Sequence, residues 1–327
     1  MLVAMVETEI IKDAVRLACR APSLHNSQPW QWEYRRGRLH LFLDASRVMN
    51  SDRSGREALI SCGALLDHLR VAMAAVGWQA EINRFPDPDN PNHLASIDFT
   101  PTDRVSEVER RRADAIVVRR TDRLPLMAPT DWESFEPALH NAVDGSGVCL
   151  QAMSGDVHQQ LVDASQLADS LRFYNTTYHD ELAWWTGPFE ASEGIPYPSL
   201  VSAAEAHRVD VGRRFPHARR GERRPEVPED DSQVLALCTA GDDRADALAS
   251  GEVLSRVLLE CTMVGLATCP VTHITEVRAS RELIRALLDH DAVPQVLIRV
   301  GVAPAMEEPP PATPRRPLDD VLHVVGD

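Results

Sequence analysis

Two segments of this chain carry one pattern, and a chain that repeats a buried helix is restricted to folds with two related halves. Residues 63–77 read GALLDHLRVAMAAVG and residues 251–265 read GEVLSRVLLECTMVG. Aligned without gaps, Gly63 meets Gly251, Leu66 meets Leu254, Val76 meets Val264 and Gly77 meets Gly265. Leu65, Leu69 and Val71 likewise face Val253, Val257 and Leu259. Both segments are apolar around most of their circumference, as a core helix is, and each ends at a glycine suited to a left-handed C-terminal cap. Leu65, Leu66, Leu69, Leu254, Val257 and Leu258 are therefore expected in the core, on helices that include 57–76 and 251–264.

Strand patterns surround both copies. In the first half, residues 30–34 and 39–44 flank Arg36-Gly37, a hairpin signal, and residues 78–83 and 95–99 follow the helix. In the second, residues 147–153 and 233–239 precede the helix, and 267–272 and 295–300 follow it. Helices are expected at 10–20, 105–118, 131–141 and 156–170. The fold class is mixed, α/β (α+β), as a pseudo-dimer of degenerate halves at 1–104 and 105–327. Between about 172 and 230 the pattern breaks into an aromatic, Gly/Pro-punctuated stretch and an Arg-rich one, FYNTTYHDELAWWTGPFEASEGIPYPS and VGRRFPHARRGERRPEVPEDD. A connection of that length is a lid, a binding loop or a mobile wrap. Tyr174, Tyr178, Trp184 and Trp185 read first as core packing, and a covering lid is the alternative.

Composition excludes several classes. A net charge of −15 over 327 residues opposes nucleic-acid binding, and Lys12 is the lone lysine among 34 basic residues. The first residues reach Glu7 and Glu9 before a signal-type apolar core can form, so the cytoplasm is the expected location and no membrane partner is expected. Cys19, Cys62, Cys149, Cys238, Cys261 and Cys269 form no CxxC pair, and free thiols with no metal site are expected. HExxH, a P-loop and GxGxxG after a strand are all missing, which leaves a zinc hydrolase, a P-loop NTPase and a dinucleotide-fingerprint dehydrogenase without their minimum parts.

The chemistry concentrates in four strings. Ala21-Pro-Ser-Leu-His-Asn-Ser-Gln-Pro-Trp30 is a polar turn between a helix and an aromatic strand, offering backbone N–H groups and short side chains to a ligand. Arg119-Arg-Thr-Asp-Arg123 follows a helix, and guanidinium forks with a hydroxyl suit a phosphate. Gly265-Leu-Ala-Thr-Cys-Pro-Val271 and Pro314-Arg-Arg-Pro-Leu318 complete the set. Together they resemble the APSxxNxQPW, RRSxR, GLxxxP and C-terminal basic signatures of the FMN-dependent nitroreductase superfamily. With DRSGREALISCGALLDHLR at 52–70, the chain is most similar to its mycobacterial Acg-type branch.

That resemblance implies a nitroreductase-like fold and FMN held by Pro22, Ser23, Leu24, Asn26, Arg119, Arg120, Thr121, Arg123, Pro270, Val271 and Arg315 or Arg316. It implies NAD(P)H as electron donor and a small-molecule acceptor such as a nitroaromatic or quinone. Thr272-His273 stands where the family often has Glu-Gly. The first half lacks the Arg motif and the second lacks the Pro-Ser-x-x-Asn loop, so one chain is expected to assemble one complete site, as a monomer or a homodimer. No catalytic residue is assigned, because a flavin requires no protein acid or nucleophile. His25 is read as facing solvent or as a proton donor. A second function stays open, sequestration of FMN or redox sensing under a lid in which Trp184 or Tyr197 covers the ring.

Overall fold

A computed structural model describes residues 6–187, 193–219, 221–306 and 310–325. Helix α1 (Thr8–Ala18) leads through a short turn into the hairpin β1 (Trp30–Arg35) and β2 (Arg38–Leu43). Arg36 and Gly37 both have positive φ, 50° and 77°, as a two-residue turn matched to strand twist requires. Helix α2 (Arg56–Ala75) follows, then β3 (Trp78–Arg84), β4 (His93–Pro101) and α3 (Glu107–Val118), whose first turn is closed by a Ser106/Glu109 capping box. The second half runs α4 (Trp132–Val143), β5 (Val148–Met153), α5 (His158–Arg172), α6 (Thr176–Trp185), α7 (Ala203–His207) and β6 (Gln233–Thr239). It continues with α8 (Arg244–Met263), β7 (Ala267–Val271), α9 (Arg278–Arg285) and β8 (Val293–Gly301), and ends in α10 (Leu318–Val321) and β9 (Leu322–Val324).

The two sheets share one topology. In each half the strands lie side by side in the order first, second, fourth, third, with the long helix joining second to third: β1-β2-β4-β3 and β5-β6-β8-β7. Both second strands carry a bulge against the fourth, between Leu41 and Phe42 and between Leu237 and Cys238. The first sheet gains a fifth strand, because β9 returns from the C-terminus to pair parallel with β1. The insert occupies the position in the second half that the Arg36-Gly37 turn has in the first.

Helices α2 and α8 cross at their aligned glycines. A Cβ on Gly63 would lie 2.0 Å from the Leu248 carbonyl oxygen, and one on Gly251 would lie 2.0 Å from that of Ile60. Only glycine lets two backbones approach this closely. The crossing buries Leu65, Leu66, Leu69, Leu254, Val257 and Leu258, all expected core residues, in one cluster drawn from both sheets. Helix α2 is long and apolar enough to cross a membrane, but most of it is buried inside the molecule. Helix α8 starts seven residues before the repeat suggests, since Asp243 and Asp246 form a capping box ahead of it. All six cysteines are free.

The insert corrects two expectations. Tyr174 is 89% and Trp184 66% exposed, so of the aromatic cluster only Tyr178 is fully in a core. Helix α6 buries one narrow face, Tyr178 and Leu182, leaving Trp184 in water and Trp185 half-buried. The Arg-rich portion is anchored: Arg224 is buried, donating to Asp122 at 2.5 Å and to the Pro125 carbonyl at 3.2 Å.

Candidate flavin site

The loop after α1 is held in an unusual backbone. His25, Asn26 and Gln28 all have positive φ near 50° to 60°, three of the seven non-glycine residues with that geometry among those described. Side chains rarely adopt it, and runs of it persist where surrounding contacts fix them, commonly at ligand sites. Here the fixing contacts are Ser23 Oγ accepting from the Gln28 N–H at 3.1 Å, Ser61 Oγ accepting from the Leu24 N–H at 3.2 Å, and the Asn26 amide donating to the Gly194 and Pro314 carbonyls, each at 3.1 Å. Asn26 Oδ1 is buried and takes no hydrogen bond. The loop is thus tied to α2, to the insert and to the C-terminal arm.

The Arg motif leaves α3 as a short extended segment laid beside β7. Thr121 bridges Thr268 in parallel, and the Asp122 N–H donates to the Thr268 carbonyl at 2.9 Å. β7 is an edge strand, which is where a strand tolerates Pro270. This juxtaposition opens a cleft of about 470 Å³, within the size range of small-molecule sites. Its walls come from both halves: Pro22, Ser23, Leu24 and His25 with Glu57, Ile60 and Ser61 from the first, and Thr121, Arg123, Leu254, Pro270, Val271 and Thr272 from the second.

The insert supplies a further wall, including Val201, Ala206, Arg213 and Phe215, and α5 adds Ser165, Gln166 and Asp169. Among the described residues, Phe215 lines the cleft and neither Trp184 nor Tyr197 does. His25 meets its ring edge-on at 5.6 Å between centroids, and the Arg123 guanidinium lies 5.1 Å from its centre. His25 is buried, contrary to the solvent-facing reading. Burial first, then the nearby Arg213, pushes its pKa well below the ordinary imidazole value, so it is neutral and a poor proton donor.

Seven expected contact residues line the cleft: Pro22, Ser23, Leu24, Thr121, Arg123, Pro270 and Val271. Arg119, Arg120 and Arg315 do not line it: Arg119 donates to the Arg20 carbonyl at 3.4 Å, Arg120 to the Val117 carbonyl at 2.8 Å, and Arg315 to the carbonyls of Cys19 and Arg20 at 2.9 and 3.0 Å. Arg316 turns away to the Trp30 and Asp320 carbonyls, and Asn26 sits behind the loop. Arg119 is 6% exposed, and its Nε and Nη1 have no hydrogen-bond acceptor. Burial first, then Arg315, Arg120 and Arg20, lowers its pKa to about 9. Among the described residues no carboxylate pairs with Arg20, Arg119, Arg120 or Arg315, whereas Arg316 lies 3.9 Å from the Asp44 carboxylate. A buried guanidinium without a carboxylate partner, as Arg119 is, is what a phosphate dianion neutralises.

Sequence reasoning missed the second half of the wall. Arg213 from the insert pairs with Glu276, donates to Thr272 Oγ1 at 3.2 Å and to the Tyr178 hydroxyl at 3.0 Å; Arg172 pairs with the same Glu276 at 2.8 Å. Burial raises the Glu276 carboxyl, but Arg213 and Arg172 outweigh it and hold it well below the usual carboxylate range. Nothing in local pattern joins residues this far apart in sequence. His273, at the departure from the family pattern, is buried behind the cleft and bonds Ser165 Oγ at 3.0 Å.

At 58% identity to a curated Mycobacterium tuberculosis nitroreductase over 98% of its length, the chain belongs to the nitroreductase family. That relative, of strain H37Rv, is "Putative NAD(P)H nitroreductase acg", of which the match covers 97%. A second relative from the same strain, "Putative NAD(P)H nitroreductase Rv3131", is 36% identical over 97% of this chain and 92% of its own. No family model matches. Among solved structures, the FMN and NADPH-dependent nitroreductase NfnB from Sphigopyxis sp. strain HMH aligns at TM-score 0.42 and 16% identity, over 66% of this chain and 99% of that one. The NfnB of Mycobacterium smegmatis in complex with NADPH aligns at 0.41 and 13%, over 65% and 97%.

Proposed function

We propose that the chain is an FMN-binding, NAD(P)H-dependent oxidoreductase that reduces nitroaromatic or quinone-like acceptors. The observation that carries this reading is the cleft in which Pro22, Ser23, Thr121, Arg123 and Pro270 meet from both halves, with the buried Arg119 guanidinium and its two unsatisfied nitrogens two residues before Thr121. Those donors fit the phosphate of FMN. Ser23, Thr121 and Arg123 offer hydrogen bonds along the cleft, and Leu24, Ile60, Leu254, Pro270 and Val271 offer apolar surface for a ring. FMN suits the chain better than FAD, since no dinucleotide fingerprint is present to hold a pyrophosphate and adenosine. When bound, FMN supplies two-electron chemistry, taking a hydride from the nicotinamide and passing it to the acceptor.

The residues of this chain bind, orient and exclude water. The Pro22–His25 loop approaches from one half and Thr121, Arg123 and Pro270 from the other, so we read the site as the single complete interface of a pseudo-dimer with halves at 1–104 and 105–327. The shared strand order and the Gly63–Gly251 crossing support that division.

The insert favours a second reading, FMN sequestration or redox sensing, because Val201–His217 walls the cleft and is pinned by Arg213 to Glu276. Stopped-flow mixing of the FMN-loaded protein with NADPH or NADH separates the two. Rapid bleaching of the flavin supports the reductase, and absence of bleaching over minutes supports sequestration.

A further inference from the structure

The Asp52-Arg-Ser-Gly-Arg-Glu57 run is left without a role by the cofactor reading, yet it carries a buried acid pair to the cleft. Asp52 precedes α2 and its Oδ2 accepts from the Ala58 N–H at 2.9 Å. Asp52 and Glu57 are each 4% exposed, and Glu57 lines the cleft beside Ile60 and Ser61. Asp52 is near enough to raise the Glu57 carboxyl, as a hydrogen-bonding neighbour and as a like charge. Asp52 Oδ1 is buried with no donor from any other group. Arg56 pairs with Glu57, but its guanidinium also serves the Thr275 carbonyl at 2.9 Å and the Gln295 carbonyl at 3.2 Å, clamping α2 to the second half.

Two neighbouring buried carboxyl groups, of which Glu57 is the one that meets the Arg56 guanidinium, disfavour a second negative charge, and Glu57 keeps its proton. A proton on Glu57, donated to Asp52 Oδ1, also supplies the donor that this buried oxygen otherwise lacks. We propose that Glu57 is the proton donor of the cleft, holding a proton shared with Asp52 and delivering it to an oxygen of the bound acceptor. This rests on the oxidoreductase reading.

The step balances with the hydride that the nicotinamide nucleotide supplies. A quinone takes one hydride and one proton to become a hydroquinone, with a new O–H bond formed from the Glu57 proton. A nitro group takes the same pair, loses one N–O bond and leaves as nitroso compound and water. Glu57 is then an anion beside an anion, which draws a proton back from solvent through the cleft.

The charged surroundings agree with this assignment. Burial first, with Asp52 and more distant Glu276, raises the Glu57 carboxyl to about 8 against the opposing pull of Arg56. Glu276 is itself neutralised by Arg213 from the insert and Arg172 from α5. His25, on the facing loop, is held neutral and does not compete as a donor.

Infrared spectroscopy of the purified full-length protein tests the proton directly. A buried carboxylic acid carbonyl band is expected at neutral pH, fading as pH rises through about 8 and missing from Glu57→Gln. In Asp52→Asn, which removes the like charge, the band should fade at lower pH. Stopped-flow reoxidation of the reduced protein by a benzoquinone tests delivery: Glu57→Gln should slow it on the order of 100-fold, far beyond any change in the reduction step, and Glu57→Asp should recover part of the loss. Wild-type reoxidation should decline above about pH 8, and the Gln variant should lose that limb. A missing acid band, or one that persists in Glu57→Gln, overturns the proposal, as does reoxidation that Glu57→Gln leaves untouched. If NAD(P)H fails to bleach the flavin at all, the oxidoreductase reading fails and the donor role falls with it, while the infrared band still decides whether Glu57 holds the proton.

Discussion

On the reading proposed above, Arg119 serves the phosphate of the cofactor. A buried guanidinium beside Arg20, Arg120 and Arg315 destabilises the fold, and a bound anion would offset that cost. Arg119→Met should therefore leave the thermal stability of the flavin-free protein unchanged or higher. It should weaken FMN binding by about 1.5 to 3 kcal/mol, a loss on the order of 10- to 100-fold in Kd by fluorescence titration. A flavin-free variant that melts earlier with FMN affinity intact would assign Arg119 a purely structural role. The Arg pattern was legible in sequence because guanidinium chemistry is explicit in the letters. Glu57 was not legible: at the start of a helix an acidic residue reads as a favourable partner of the helix dipole, and only the fold reveals that it faces Asp52 and a cleft.

Among the elements, the crossing of α2 and α8 is the joint on which the halves depend. Gly63→Ala places a methyl 2.0 Å from a backbone oxygen that cannot rotate away, and should destabilise the protein by about 3 kcal/mol in a urea melt. Gly155→Ala, with open space around it, should cost less than about 1 kcal/mol. Both helices and nearly every strand were legible because their apolar period and terminal glycines are local signals. The insert was not, since its order comes from single long-range pairs such as Arg213 with Glu276, Arg224 with Asp122, and Glu181 with the Asn50 N–H at 2.7 Å. Trp184 and Tyr197 drew attention by their size, whereas Phe215 reached the cleft by its position. The Arg213–Glu276 pair has a pH dependence of known sign. Glu276 has a lowered pKa in the fold, so the stability it contributes is present above the usual carboxylate range and is lost as pH falls through its depressed value. Insert protection in hydrogen exchange should persist through mildly acidic pH in the wild type and be weakened at neutral pH in Glu276→Gln. Replacing residues 194–219 by a short Gly/Ser linker should speed reduction by NAD(P)H and release FMN faster. An unchanged reduction rate in a folded, FMN-loaded variant would remove the case for a lid.

At the scale of the whole molecule, the two halves are alike in topology and unlike in chemistry. The first carries the strained Pro22–Gln28 loop, the second the Arg motif and the β7 edge, and β9 crosses back to complete the first sheet. On the reading proposed above, each half lacks what the other supplies, and one chain assembles one site in the cleft between them. The number of flavins per chain measures this directly. Titration of the flavin-free protein with FMN, followed by native mass spectrometry, should give one FMN for each 36.3 kDa chain whatever the oligomeric state, and Arg119→Met should weaken that one site. Two FMN per chain, one FMN per pair of chains, or no specific binding would contradict a single site built across an unequal duplication.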